Sequence, residues 1–197
     1  MQLGWVRHGR TNWNALGKIQ GQTDIPLTKE GLQQADLLAK RLQRDDYRWD
    51  AVVSSPLQRA AQTAAVLAEA LDVPLLAPDD RLKERAFGEI EGTTEEARIA
   101  RWGAQWRLTY EGQESDEAVR ARGLAFVRER LERKTPERLL VVSHGSFLTC
   151  LLHTLCEGLD ESYIGNMSYS VMDDHERQWR ILLHNCTAHL QFGEADV

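Results

Sequence analysis

Short runs of apolar and β-branched residues alternate along this chain with longer stretches in which apolar residues recur every three or four positions. The short runs read as strands: Leu3 to Arg7, Ala51 to Ser54, Leu139 to Ser143, and the pair Tyr169 to Met172 with Trp179 to His184. Asp173-Asp174-His175-Glu176-Arg177, inside that pair, reads as a polar hairpin turn. The longer stretches read as helices. After Thr28, a good N-cap, Leu32, Ala35, Leu38, Ala39 and Leu42 share one helical face. Leu57, Ala60, Ala61, Ala64, Leu67, Ala68 and Leu71 do the same, with Pro56 where a first helical residue belongs. Val119, Gly123, Phe126 and Val127 share the apolar face of a third helix whose other face is charged and solvated. A further helix is expected after His144. Strands alternating with helices predict an α/β fold, a three-layer α/β/α sandwich with a mostly parallel central sheet.

Composition narrows the class. A chain of 197 residues suits a single domain, 1–197, with a full core. The net charge of -6 argues against a broad nucleic-acid surface, although a small basic pocket fits inside an acidic shell. No apolar run reaches the about 18 residues of a membrane span, and no signal-peptide pattern opens the chain. Cys150, Cys156 and Cys186 form no CxxC pair and read as free, core-packed thiols of a reducing cytoplasm. Trp5 is bulky for a first strand and is expected to fill the core.

The chemistry gathers at strand ends, where ligands of such sheets bind. Val6-Arg7-His8-Gly9 ends the first strand. The histidine there is a candidate phosphate-attacking nucleophile. The arginine supplies a planar, permanently charged fork for phosphate oxygens, and the glycine lets the backbone turn and approach substrate. Val53-Ser54-Ser55-Pro56-Leu57-Gln58-Arg59 hands a second strand to a helix, placing Arg59 in the first turn beside free N–H groups. Val142-Ser143-His144-Gly145-Ser146 repeats the strand-to-helix passage. Each residue alone has an ordinary structural reading; two histidines and two arginines at three matching ends suit a phosphate group. Gly17-Lys18-Ile19-Gln20-Gly21-Gln22-Thr23 lacks the Gly-Lys-Ser/Thr of a Walker loop, and no GxGxxG follows the first strand. No zinc spacing is present, so no metal and no cofactor are expected.

Taken in order, these motifs resemble the histidine phosphatase superfamily, in its phosphoglycerate-mutase-like branch. The likeness runs through Arg7-His8-Gly9 with Thr11, Trp13 and Asn14, and IQGQTDIPLT at 19–28. It continues through SSPLQRAAQTA at 54–64, LKERAFGEIEG at 82–92, GQES at 112–115, VSHG at 142–145 and the closing Asn185 with His189-Leu190. The resemblance implies that His8 is the nucleophile and becomes phosphohistidine. Arg7, Arg59 and His144 complete the phosphate pocket, and Asn14 assists. Glu84 donates the proton to the leaving group, and Gln22, Thr23 and Ser146 contact substrate. Spacing alone leaves Glu89 and Glu91 equally available as the acid. Arg10, where the family often carries an acidic or amide residue, is expected to face solvent.

The short chain and IQGQTDIPLT resemble the phosphatases more than the mutases, which implies a phosphomonoester hydrolase. The alternatives are a phosphoglycerate mutase and a non-catalytic phospholigand-binding protein on the same fold. The segment 93–112 reads as a substrate-cap insertion. It carries Trp102 and Trp106 one helical turn apart, with Arg98, Arg101 and Arg107 nearby. It forms either a wall that selects the leaving group or a helix packing its tryptophans on the domain. The partner expected is a small phosphomonoester, with a homodimer as the one assembly considered and neither nucleic acid nor membrane.

Overall fold

Five strands in the order β2-β3-β1-β4-β5 form the sheet of the computed structural model, which describes residues 1–160, 163–175 and 178–191. In chain order the elements are β1 (Gln2–Arg7), α1 (Asn12–Ala15), α2 (Lys29–Arg44), β2 (Ala51–Ser54), α3 (Gln58–Leu71), α4 (Glu95–Trp102) and α5 (Trp106–Thr109). There follow α6 (Asp116–Arg133), β3 (Arg138–Ser143), α7 (Gly145–Leu155), β4 (Tyr169–His175) and β5 (Gln178–Cys186). β1 and β2 pair parallel to β3, β4 pairs antiparallel to both β1 and β5, so β4 alone runs against the rest. The predicted sandwich and its mostly parallel sheet are both present.

β1, β2 and β3 are buried on both faces, which explains their nearly unbroken apolar runs, whereas the edge strand β5 alternates exposed and half-buried residues. Leu3, Trp5, Val53, Leu139 and Val141 pack against Phe126 and Val127 of α6 and Phe147, Leu148 and Leu151 of α7. Val6, Val52, Leu140 and Val142 pack the other way, against Leu38 and Leu42 of α2 and Ala60, Ala64 and Leu67 of α3. Trp5 is core, as expected, and its indole N–H donates to the Met172 sulfur at 3.0 Å.

Several local expectations are corrected. Pro56 does not open α3: Ser55 still donates its N–H to Val142, and the helix begins only after Leu57. Its first free N–H, from Gln58, is taken by the Asp24 carboxylate at 2.7 Å, a cap from a distant loop that no local pattern shows. Leu32 is exposed, because Gly31 is the residue of α2 that presses on the backbone after β1. Three residues of the expected turn, Asp173, Asp174 and His175, belong to a strand instead. β4 continues through His175, with Asp173 opposite Arg180 and ion-paired to it at 2.8 Å; Glu176 and Arg177 lie outside the described residues. In 93–112 there is no single helix carrying both tryptophans. α4 stops at Gly103, whose φ of +84° suits only glycine comfortably, and Trp106 opens α5.

Candidate active site

The carboxyl ends of β1, β2 and β3 meet at one rim, and four of the predicted residues meet with them. His8 extends β1 by one step, its N–H donating to Ser143 at 3.0 Å. Its imidazole is buried, and its Nδ1 lies 2.7 Å from the Gly9 carbonyl. A carbonyl only accepts, so Nδ1 carries the proton and Nε2 keeps its lone pair. Burial, then the charges of Arg59 and Arg7, hold the pKa of His8 well below the usual histidine range, keeping the ring neutral. The glycine beside it also answers to α2: a Cβ on Gly9 would stand 2.5 Å from the Gly31 carbonyl.

Arg59 is fully buried in the first turn of α3. It donates to the carbonyls of Gly21 (2.7 Å) and Thr23 (2.9 Å) and to His144 Nδ1 (3.2 Å). All three acceptors are neutral. Burial pulls its pKa down to about 10, which still leaves a cation at neutral pH. Arg7 donates to the Ile164 carbonyl at 2.5 Å, and its guanidinium lies 4.8 Å from the centre of the Tyr163 ring. Among the described residues its buried Nε has no partner. Gly145 lies against that Nε, where a Cβ would come within 3.2 Å. Among the described residues neither Arg7 nor Arg59 touches a carboxylate at ion-pair distance, although every other buried arginine does. Two buried cations without a contacting counter-ion make a site for an anion.

His144 is buried with its ring centre 5.1 Å from that of His8. Its Nδ1 accepts from Arg59, so its Nε2 carries the proton and donates to Ser55 Oγ at 2.8 Å. Burial first, then Arg59, depresses its pKa as well.

The structure separates the three carboxylates that spacing left equal. Glu84 is buried at the start of α7, where its carboxylate accepts from the N–H groups of Arg85 (2.8 Å), Phe147 (2.8 Å) and Ser146 (3.0 Å). Glu89 is a surface residue paired with Arg101. Glu91 faces inward and accepts from the N–H groups of Gln22 (3.1 Å), Thr23 (2.9 Å) and Phe87 (2.9 Å) and from the Thr23 hydroxyl (2.5 Å). It thereby fixes the loop whose carbonyls hold Arg59. Replacing Glu91 with glutamine puts donors against donors and is expected to weaken inorganic phosphate binding about tenfold, readable by calorimetric titration; unchanged affinity would mean the loop holds itself.

The remaining predicted residues are near but differently occupied. Gln22 donates from Nε2 to the Glu84 carbonyl at 3.1 Å. Asn14 closes a capping box with Thr11, and its Oδ1 also accepts from Asn166 at 3.2 Å. Ser146 spends its N–H on Glu84. Arg10 turns outward to Glu30, at 2.8 Å. Asn166 and Tyr163 had no local signal, since they reach the rim from an irregular loop. In 93–112, the Trp106 ring is buried between Arg98 (4.8 Å) and Arg107 (4.4 Å), with its N–H on Glu95, whereas Trp102 packs edge-on against Tyr110. Tyr110 in turn donates to the Phe87 carbonyl at 3.0 Å.

His8, His144 and His189 are all buried neutral, with burial taking the pKa of His189 to about 4. An unfolded histidine titrates near 6.5. The folded values lie lower, so the unfolded chain binds more protons in between. Stability is therefore complete above about pH 6.5 and falls as pH drops, by roughly 3 kcal/mol for His189 alone on reaching its folded pKa. Thermal melts from pH 7.5 to 4.5 should decline from pH 6.5 downward; flat melting temperatures would contradict it.

Among the described residues no group of three or more His, Cys, Asp or Glu could hold a metal ion, and no helix is long and apolar enough to cross a membrane. Residues 3–187 match the family model described as "Histidine phosphatase superfamily (branch 1)". An uncharacterized phosphatase PhoE of Bacillus subtilis (strain 168) is 36% identical over 191 residues, 94% of each chain. A probable phosphoglycerate mutase GpmB of Yersinia pestis (strain Pestoides F) is 36% identical over 193 residues, 91% of this chain and 87% of that one. A solved mycobacterial glucosyl-3-phosphoglycerate phosphatase, complexed with VO3, superposes with a TM-score of 0.81 at 29% identity, over 94% of this chain and 99% of that chain.

Proposed function

Because the chain belongs to branch 1 of the histidine phosphatase superfamily, we propose that it hydrolyses small phosphomonoesters without a metal, through a phosphohistidine on His8. The observation that carries this reading is the pair of buried guanidiniums, free of contacting carboxylates among the described residues, beside an imidazole whose Nδ1–H faces the Gly9 carbonyl and whose Nε2 therefore carries the lone pair. Phosphate binds between Arg7 and Arg59, and their charge offsets that spread over the transferring oxygens, the role a metal plays in other sites. The Nε2 lone pair attacks phosphorus while the ester P–O bond breaks. Protonated Glu84 gives its proton to the departing oxygen. A water then attacks the phosphohistidine, gives its proton to Glu84, and the P–N bond breaks to return neutral His8. His144 orients Arg59 as a neutral acceptor.

The α4–α5 segment is the cap over the leaving group in this reading. Its ties to the Phe87–Glu89 turn, through Tyr110 and Arg101, support that. Three free cysteines support a cytoplasmic setting, and the partner is the small phosphomonoester. A mutase would return the phosphoryl group to a bound acceptor instead of water. The deciding experiment incubates a phosphomonoester panel, phosphoglycerate included, with the protein in EDTA and analyses products. Released phosphate supports the hydrolase; an isomerised phosphoglycerate with no phosphate release, or a need for added metal, refutes it.

A further inference from the structure

Glu84 sits on a loop, residues 83–87, with neither helix nor strand of its own. A carboxylate that hands over a proton has to be held to within about 0.5 Å. The N–H groups of Arg85, Ser146 and Phe147 fix the tip of the side chain. Its backbone is fixed from α6. Arg122, in the second turn of that helix, donates from Nη1 to the carbonyls of Arg81 (2.7 Å) and Lys83 (2.6 Å), the second of them directly before Glu84. From Nε and Nη2 it forks onto both carboxylate oxygens of Glu114, at 2.8 and 3.0 Å.

Glu114 continues this grip on the far side of Glu84. Its N–H donates to the Ala86 carbonyl at 2.8 Å, and its Oε2 accepts the Ala86 N–H at 3.3 Å. Burial opposes the charge on Glu114, but the hydrogen bonds and charge of Arg122 outweigh it and hold the carboxyl below its usual range. The Arg122 guanidinium also lies 4.9 Å from the centre of the Phe147 ring, and the Phe147 N–H is on Glu84. The pair thus holds the chain before Glu84, the chain after it, and the residue that receives its carboxylate. Among the described residues neither side chain bonds to Arg7, His8, Arg59 or His144.

We propose that Arg122 and Glu114 are positioning residues for the proton donor, setting the place of Glu84 and leaving phosphate binding to Arg7 and Arg59. The proposal rests on the phosphatase reading above, with Glu84 as the acid. It also gives GQES at 112–115 a role: its glutamate is half of the brace, and its serine caps the helix that carries the other half.

Arg122→Lys keeps the charge, but one ammonium cannot span two carbonyls and both carboxylate oxygens. With glycerol 3-phosphate, kcat should fall about 10- to 10²-fold while KM stays within about twofold. Nitrophenol release from nitrophenyl phosphate in a single turnover, which needs no acid, should stay within about twofold. Glu114→Gln should show the same split, and it carries the test if Arg122→Lys does not fold. Repeating each change on Glu84→Gln separates positioning from a brace for the fold at large. With no acid left to place, the added loss on glycerol 3-phosphate should be under about twofold. Losses that multiply in the double variants, or equal losses for the two esters in the single ones, overturn the proposal alone. A wild type that releases no phosphate, or Glu84→Gln as fast as wild type on glycerol 3-phosphate, overturns the reading of the acid and the proposal with it.

Discussion

His8→Ala should abolish phosphate release, by about 10⁴-fold or more, from every ester the wild type hydrolyses. The expectation follows from the economy of the site. Arg7 and Arg59 are held by backbone carbonyls of Gly21, Thr23 and Ile164, none of which depends on the His8 ring. The mutant keeps its anion pocket and loses only the Nε2 lone pair. Inorganic phosphate should therefore still bind, within a few-fold of wild type, by calorimetry. The ring is buried but contributes one local bond, to its neighbour's carbonyl, so the fold should survive. Brief incubation of wild type with a ³²P-labelled ester and an alkaline quench should leave label on the protein, and His8→Ala none. An active mutant would remove the phosphohistidine from the mechanism. An inactive mutant that no longer binds phosphate would point to a collapsed pocket.

Glu84→Gln should separate esters by their leaving groups. An alkoxide needs a proton as the P–O bond breaks, so alkyl phosphates should slow by about 10²- to 10⁴-fold. A nitrophenolate leaves without help, so formation of phosphohistidine from nitrophenyl phosphate should be spared. The second step also needs the carboxylate to take a proton from water. The intermediate should then accumulate, and nitrophenol should appear as a stoichiometric burst in stopped flow. Glutamine cannot accept all three N–H bonds that Glu84 receives from Arg85, Ser146 and Phe147, and a melting-temperature comparison accounts for the start of α7 being loosened. An equal loss for alkyl and aryl esters, with no burst, would assign the proton transfers elsewhere.

Much of this site was readable before folding because its parts obey local rules. Arg7 and His8 follow an unmistakable apolar strand, Arg59 follows a strand and a helix start, and His144 precedes a glycine at another. The sheet order then needed only the parallel pairing of β1, β2 and β3 to bring those ends together. The helices were legible in the same way, through apolar residues at helical spacing that are now buried in α2, α3 and α6. Local rules failed where a distant group intervened. Ser55 keeps its N–H on Val142, so Pro56 does not open α3, and Asp24 caps the helix across 34 residues. Gly103 broke 93–112 into two helices because only a left-handed residue there lets Trp106 turn back between Arg98 and Arg107.

The chain by itself determined which residue types stand at the ends of which strands, because strand period, helix period and turn residues are properties of neighbours along the sequence. The resemblance of its motifs then named their roles. What surrounds each of three carboxylates was decided only in three dimensions. Glu84, Glu89 and Glu91 are alike in spacing and chemistry, yet one is buried and caps α7, one pairs with Arg101 in solvent and one staples the loop that holds Arg59. Burial and hydrogen-bond partners separate them, and both depend on what lies across space from a residue rather than beside it in the chain.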